Sequence, residues 1–508
     1  CSSDLAAAKQ VPRGSGLDFA DFLLGMPQQA TRQYSISTDN VTLPIEIHGR
    51  QYSAFIQDDW RLKARWTLNW GLQYDYVAPF TEANGHMVNL DVAPGFVSVS
   101  PVFADASGAF TGAFPAGLVY PDVNNFSPRV GAAWRANTRT VVRFGYGLSY
   151  NSGSYANIAR QLYQQPPFFQ TGTAIGTTAA PLSITNPFAS LASSTVTNNY
   201  GIDKNYKLGA IHQWTADISR DVMRSWNLGV TYVGTLGRQL DMLRAPNRGP
   251  SGLRIAGVDP FTWQTSDGQS HANGVSFRVQ KRQTKGISGS VTYTLSKSMD
   301  DTTATGGSAT VAQDDQNLAA EWALSNFDQR HQLNGNVSWQ LPWGVNRQWL
   351  NAGGPLAALA GNWNMTANVT WTSGTPLTVR CSTCASDVAR GTGGTLRANY
   401  NGQPLGVDSP TIDEFFNISA FSVPSSGTFG NSLRNMIIGP GSHQLNANFS
   451  RDVVLSGSRG VTIQVSANNL LNTVNYAAID TNVNSSTFGQ VLGVRGMRTV
   501  RVNLRFRF

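Results

Sequence analysis

Two of the three cysteines form the segment CSTC at 381–384. Cys381 and Cys384 have the Cys-x-x-Cys spacing of a dithiol redox pair or of half a zinc site. A zinc site needs further ligands, and there is no second CxxC and no histidine nearby. Asp300, Asp301, Asp314 and Asp315 crowd one stretch and offer the hard oxygens that Ca²⁺ takes. They lack EF-hand spacing, and a solvated acidic loop accounts for them more simply. The six histidines, His48, His86, His212, His271, His331 and His443, stand apart without a paired-ligand spacing. His48 with Asp58 and Asp59 could serve as an acid–base set; a strand end near headgroups is the plainer account of the two aspartates. No GxSxG or phosphate-binding glycine loop occurs. YQQPPFFQ (163–170) presents Tyr163, Phe168 and Phe169 as rings on which a substrate could stack, with packing inside a loop as the alternative. The expectation is a non-enzyme without a cofactor.

The segments around these residues are patterned with period two. In WTLNWGLQYDY (66–76), Trp66, Leu68, Trp70, Leu72, Tyr74 and Tyr76 alternate with Thr67, Asn69, Gly71, Gln73 and Asp75. Side chains on a strand point alternately to its two faces, so one face is greasy and one is wet. The pattern returns at 139–150, 225–233, 286–296, 331–341, 362–372, 461–467 and 499–508, and more weakly at 48–60, 127–136, 207–220, 273–283 and 444–453. Most runs are close to the roughly ten residues that a tilted strand needs to cross an outer membrane. Aromatics near the run ends suit interfacial girdles.

Connections alternate in length. Short ones (61–65, 137–139, 221–224, 284–286, 454–459, with 342–361 longer) alternate with long ones (77–126, 151–206, 234–272, 297–330, 373–443, 468–498). This is the sequence form of antiparallel strands with tight periplasmic turns and large extracellular loops. The chain is 41% hydrophobic but only 13% charged, and it lacks any run long enough for a spanning helix. The net charge of +8 is scattered rather than clustered, which argues against nucleic acid. A soluble propeller would show a regular blade period, and these connections vary too widely for one. The expected fold is all-β: a transmembrane antiparallel up-and-down β-barrel in the outer membrane. Trp66, Leu68, Trp70, Leu72 and Tyr74 then face lipid. In that oxidising compartment, Cys381 and Cys384 are expected to form a disulfide that pins the loop.

Several segments also resemble a known family: ADFLLGMP (20–27), FIQDDWRL (55–62) with TLNWGLQYD (67–75), YTLSKSMDD (293–301), ALSNFDQRHQLNGNVSWQLPWG (323–344), SGTPLTV (373–379), ANNLLNTVNY (467–476) and FGQV (488–491). In this order they resemble the barrel of TonB-dependent outer-membrane transporters of the Oar-like group. The final Phe508, after alternating apolar residues, resembles the signal read by the barrel-assembly machinery. The resemblance implies a barrel of about 22 strands around a plug. It also implies a TonB partner driven by the proton-motive force, and import of a bulky siderophore-, carbohydrate- or peptide-like nutrient. The sequence departs from that pattern: it shows no plug, TonB box, regulatory domain or signal peptide. The expected organisation is an N-terminal loop with weak strands at 1–47 and a barrel at 48–508, about 14 strands in all. A self-contained 14-stranded channel and an adhesion or protein-export barrel are the alternatives. ATRQYSIS (30–37) is the segment best placed to close the wall against 498–508. It is short and polar, so no regular ladder is expected there.

Overall fold

The computed structural model describes residues 23–25, 29–35, 45–175, 183–185, 198–249, 252–302, 312–344, 347–351, 354–381, 396–425, 427–456 and 459–508. One antiparallel sheet dominates it. Its path runs through thirteen strands in chain order. They are β1 (Gln51–Lys63), β2 (Trp66–Val77), β3 (Phe126–Asn137), β4 (Thr140–Tyr150) and β5 (Ala210–Met223). Then come β6 (Trp226–Arg244), β7 (Thr262–Thr284), β8 (Ile287–Asp300), β9 (His331–Gln340) and β10 (Asn364–Thr372). β11 (Ser442–Ser456), β12 (Arg459–Asn468) and β13 (Thr499–Arg507) complete it. Every neighbour in this wall is the next strand in sequence, the up-and-down order that alternating connection lengths predict.

The register fixes two faces. Trp66, Leu68, Trp70, Leu72 and Tyr74 pair with Trp134, Ala132, Val130, Pro128 and Phe126. All ten lie on one side of the sheet, because paired residues share a face. Trp66 stacks on Trp134 at 5.3 Å, and Tyr74 packs tilted against Phe126 at 4.7 Å. The same face continues through Phe144, Ile218, Leu228, Val230, Phe277, Val279, Val291, Val369, Val500, Val502 and Leu504, all exposed. No soluble core covers these side chains. The other face carries Asn, Gln, Ser, Thr, Asp and Arg. Hairpins at the short ends are tight: Thr284 pairs with Ile287 across Lys285 and Gly286, which have φ of 53° and 78°. Positive φ at both central residues is the turn whose twist matches that of the strands.

The buried core lies in the long connections instead. Val77, Met87, Leu118, Tyr155, Ile158, Leu162, Ile202, Tyr206 and Leu208 form one cluster, into which helix α1 (Ser154–Tyr163) packs. Leu90, Val99, Ile255, Val258, Phe261 and Trp263 form a second, and Val379, Ala398, Phe416, Phe421 and Ile437 a third. Asn89 holds the first together as its polar centre. It donates to the carbonyls of Leu118 (3.3 Å) and Ile202 (2.9 Å) and accepts from the Ile202 amide (2.9 Å). Buried polar groups are tolerated only when satisfied in this way.

One expectation needs correction. The connection 234–272 is mostly strand: β6 has 19 residues and β7 has 23, so the hairpin rises well past its neighbours. Register shifts at Gly237/Leu240 and Leu240/Met242 break the alternation there, which hides the strand from a period-two reading. The segment Gln29–Ser35 pairs with Phe169–Ile175 and not with the wall. The described wall has thirteen strands from Gln51 onward, in keeping with the expected number of about fourteen. Among the described residues β13 pairs only with β12, and no ladder joins it to Gln29–Ser35. An odd count has a geometric consequence. β1 and β13 both run from the loop side to the turn side, so antiparallel closure takes an odd number of further strands between them. An unpaired edge inside lipid costs several kcal/mol per group.

Candidate functional site

The polar face of the wall is a connected hydrogen-bond surface, built because alternate positions on adjacent strands share it. Asn69 donates to Asp59 at 2.5 Å, and Ser53 to Asp75 at 2.6 Å. The Gln73 amide also reaches Asp75, and its carbonyl accepts from Arg129 at 3.4 Å. Arg143 pairs with Asp217 (3.0 Å), which also accepts from Thr231 (2.9 Å). Arg282 pairs with Asp221 at 2.9 Å. Further along, Ser290 meets Asn336, Gln464 meets Asn448, and Thr462 meets Asp452. A concavity of about 600 Å³ opens on β1–β5, lined on this face by Gln57, Asp59, Asn69, Arg129, Gln213 and Thr215. Gly71, Gly131, Gly145 and Gly147 form its floor. A Cβ at Gly131 or Gly147 would meet nothing closer than 3.7 Å, so packing inside the chain does not demand glycine there. These glycines keep the floor low. The surface can hold a hydrated, hydrogen-bonding partner.

Above the wall the loops are locked to one another by charge. Arg397 donates two bonds to Glu321, at 2.8 and 2.9 Å. Arg434 pairs with Asp300 at 2.6 Å and reaches Glu321 at 3.6 Å. All four side chains are at most 6% exposed. Arg248 is buried nearby; burial pulls its guanidinium down to about 10, with the Glu321 carboxylate opposing that shift. A second anchor is Glu82, which accepts from the backbone amides of Glu46 (3.1 Å), Asn84 (2.9 Å) and His86 (2.7 Å). Burial pushes its carboxyl up, but these three donors and the His86 charge prevail and hold it below the usual carboxylate range. A lowered folded value means stability that is present above the ordinary carboxylate pKa and lost as pH falls through the lowered one. Glu82→Gln is therefore expected to cost about 1–3 kcal/mol at neutral pH and to flatten the acid side of the profile. Hydrogen exchange of residues 81–92 against pH measures both.

Asp300 pairs with Arg434, Asp315 with Arg244 (2.6 Å) and Asp314 with Arg254 (3.6 Å). Asp301 accepts from the Gln269 amide at 2.6 Å. Among the described residues no group of three His, Cys, Asp or Glu could hold a metal ion. Nor is this a solvated acidic loop: Asp300 and Asp315 are 2% and 5% exposed. Arginine partners, remote in sequence, take the carboxylates that Ca²⁺ would need. Phe168 lies against His86 (4.8 Å) and Phe103 (5.9 Å), and Tyr163 packs on the first loop cluster. Phe169 opens the strand paired with Gln29–Ser35. His48 contacts Glu46 at 3.2 Å; Asp58 accepts from the Trp60 indole and Asp59 from Asn69, so the three form no acid–base set. Cys381 is disulfide-bonded, and Cys384 lies outside the described residues. Trp66 and Leu72 are exposed on the apolar face, with Leu68, Trp70 and Tyr74 in line; Phe508 projects freely beyond β13. Sequence reading missed Glu321, Arg397 and Arg434, because nothing local marks residues that meet across about a hundred positions.

No curated protein sequence matches the chain. Among solved structures, the outer membrane transporter YddB from Escherichia coli superposes with a TM-score of 0.44 at 10% identity, covering 91% of this chain and 54% of that one. The siderophore receptor PiuA from Acinetobacter baumannii gives 0.42 at 10% identity, covering 90% and 43%. P. aeruginosa FpvA bound to heterologous pyoverdines gives 0.42 at 10% identity, covering 90% and 38%. The chain thus spans 38% to 54% of the lengths of these proteins. Residues 4–501 match the model of the outer membrane beta barrel domain. The chain belongs to the outer membrane beta-barrel domain family.

Proposed function

We propose that the chain is the barrel portion of a TonB-dependent importer of the Oar-like group. Its apolar face meets lipid, and its polar face lines an aqueous lumen. The long loops receive a bulky, hydrophilic nutrient. The observation that carries this reading is the pairing of a long polar inner wall with loops that have cores of their own. A simple sieve needs no buried core in its loops. A receptor does, because preorganised loops lose less entropy on binding. In this reading a plug and a TonB-binding segment belong to the same protein, and the energy comes from the inner membrane.

The test is uptake by cells that carry the intact gene, compared with a deletion strain, with a panel of siderophores, oligosaccharides and peptides. Uptake of one class that stops on adding a protonophore supports the reading. Uptake that persists with the protonophore, together with ion conductance of the purified protein in planar bilayers, replaces it with a passive channel. Loss of cell or surface attachment without any uptake defect replaces it with an adhesion barrel.

A further inference from the structure

Four of the six histidines lie on the apolar face, near the loop-side ends of their strands. The ladders place His212 opposite Leu148 and Leu236, His271 opposite Leu236 and Met299, His331 opposite Leu295, and His443 opposite Trp371. An imidazole on such a face is costly unless its nitrogens are engaged. Two of them are engaged in the same way. The Tyr146 hydroxyl meets His212 Nδ1 at 2.9 Å, and the Tyr293 hydroxyl meets His331 Nδ1 at 2.7 Å. With the hydroxyl donating to Nδ1, Nε2 carries the ring proton and is left as a donor. Tyr293, His331, Trp371 and His443 then stack in a row across β8–β11, each centroid 6.2 Å from the next. The row fixes the rings.

Lys297 stands beside this row. Its register partner is Asn273, on the apolar face, two residues along β8 from Leu295, which pairs with His331. Lys297 is exposed and forms no ion pair among the described residues. On its own face Asp58 lies on β1, opposite Trp70 and seven strands away. The wall carboxylates at membrane level in β2–β13 are Asp75, Asp217, Asp221 and Asp452, and the ladders put all four on the polar face. The Asp328 carboxylate at this corner is taken by the Ser298 amide at 2.6 Å. The corner therefore collects donors and positive charge without an ion-paired anion among the described residues, at the level where hydrocarbon gives way to headgroups.

We propose that the Lys297–His331 corner of the apolar face binds the phosphate of an outer-leaflet lipid headgroup, with a phosphomonoester preferred over a zwitterionic diester. The proposal rests on the reading that the apolar face meets lipid. A lysine that merely snorkels would accept any headgroup. A fixed imidazole N–H beside it adds directional preference for a doubly charged phosphate. The loop-side boundary places the occupant in the leaflet facing the loops. A free phosphate in solution would have no reason to choose an apolar wall.

The experiment uses the purified full-length protein in phosphatidylcholine vesicles with and without diphosphoryl lipid A, and with its dephosphorylated form as control. Lipid retained on the protein is read by native mass spectrometry. Preferential retention of diphosphoryl lipid A is expected, falling about fivefold in Lys297→Gln, the weight of one juxtamembrane cation, and further with His331→Phe, which keeps the stack. Lys281→Gln, on the same face at the turn end, is expected to leave retention unchanged. Equal retention of the phosphorylated and dephosphorylated forms, or wild-type retention in Lys297→Gln, overturns the proposal. So does displacement of the lipid by millimolar inorganic phosphate. Lys297→Gln removes no recorded contact, so the test survives even where His331→Phe fails to fold. If the protein does not insert into vesicles at all, the lipid-facing reading fails; if it inserts without lipid preference, only this inference fails.

Discussion

Replacing Glu321 with alanine is expected to release the loop layer while leaving the wall intact, at a cost of about 3–5 kcal/mol. Glu321 is 2% exposed and is the carboxylate partner of Arg397. It also accepts from the Gln313 amide at 3.0 Å and lies 3.6 Å from Arg434. Its backbone carbonyl accepts from Arg434 at 2.9 Å, and that bond survives the substitution. Removing the side chain strands one guanidinium in a dry site that already holds Arg434 and Arg248. An uncompensated buried charge, and not the loss of attraction as such, sets the magnitude. Two companions separate these causes. Glu321→Gln keeps the shape and an acceptor, so its cost should be smaller. Glu321→Met combined with Arg397→Met removes both charges, so most of the stability should return. Hydrogen exchange of residues 396–437 and 312–324, compared with β8–β10, measures the effect. Unchanged exchange in Glu321→Ala would show that the loop clusters hold the layer without the ion pairs.

The residues that form that lock also show where sequence reading stops. β2, β4, β8, β9, β10 and β13 were legible because lipid on one side and water on the other impose a strict period of two over about ten residues. Once β6 and β7 rise past that slab, the constraint is gone. Gln264, Thr265, Ser266 and Asp267 obey no alternation, although they are strand. The loops obey different physics again. Asn89 meets Ile202 across 113 positions, and Arg434 meets Asp300 across 134. Nothing near Asp300 in sequence reports a guanidinium so far away, so a local reading gave the aspartates to solvent or Ca²⁺. The polar inner wall was visible as the off-phase half of each strand. The glycine-floored concavity was not, since Gly71, Gly131, Gly145 and Gly147 become neighbours only through the register of three strands.

Arginine at Leu72 is expected to cost about 2–4 kcal/mol, and arginine at Gln73 far less, although the two are adjacent. Leu72 is 39% exposed and sits mid-strand in β2, between Ile56 on β1 and Pro128 on β3. If this face meets lipid, a guanidinium there stands in hydrocarbon about half a bilayer from the headgroups, and the one carboxylate diagonal to it, Asp58 on β1, is already held by the Trp60 indole. Gln73 points to the other face. Its neighbours are Asp75, whose carboxylate it reaches at 2.9 Å, and Arg129. An arginine there gains Asp75 as a counter-ion and meets Arg129 as a like charge, in water in either case. High dielectric leaves both terms small. Urea unfolding of the two variants from phospholipid vesicles decides the matter. A large penalty at Leu72 alone places lipid on the Trp66–Tyr74 face. Equal penalties would mean that both faces are wet or both are dry. A larger penalty at Gln73 would turn the wall inside out, and the concavity on β1–β5 would then face the membrane.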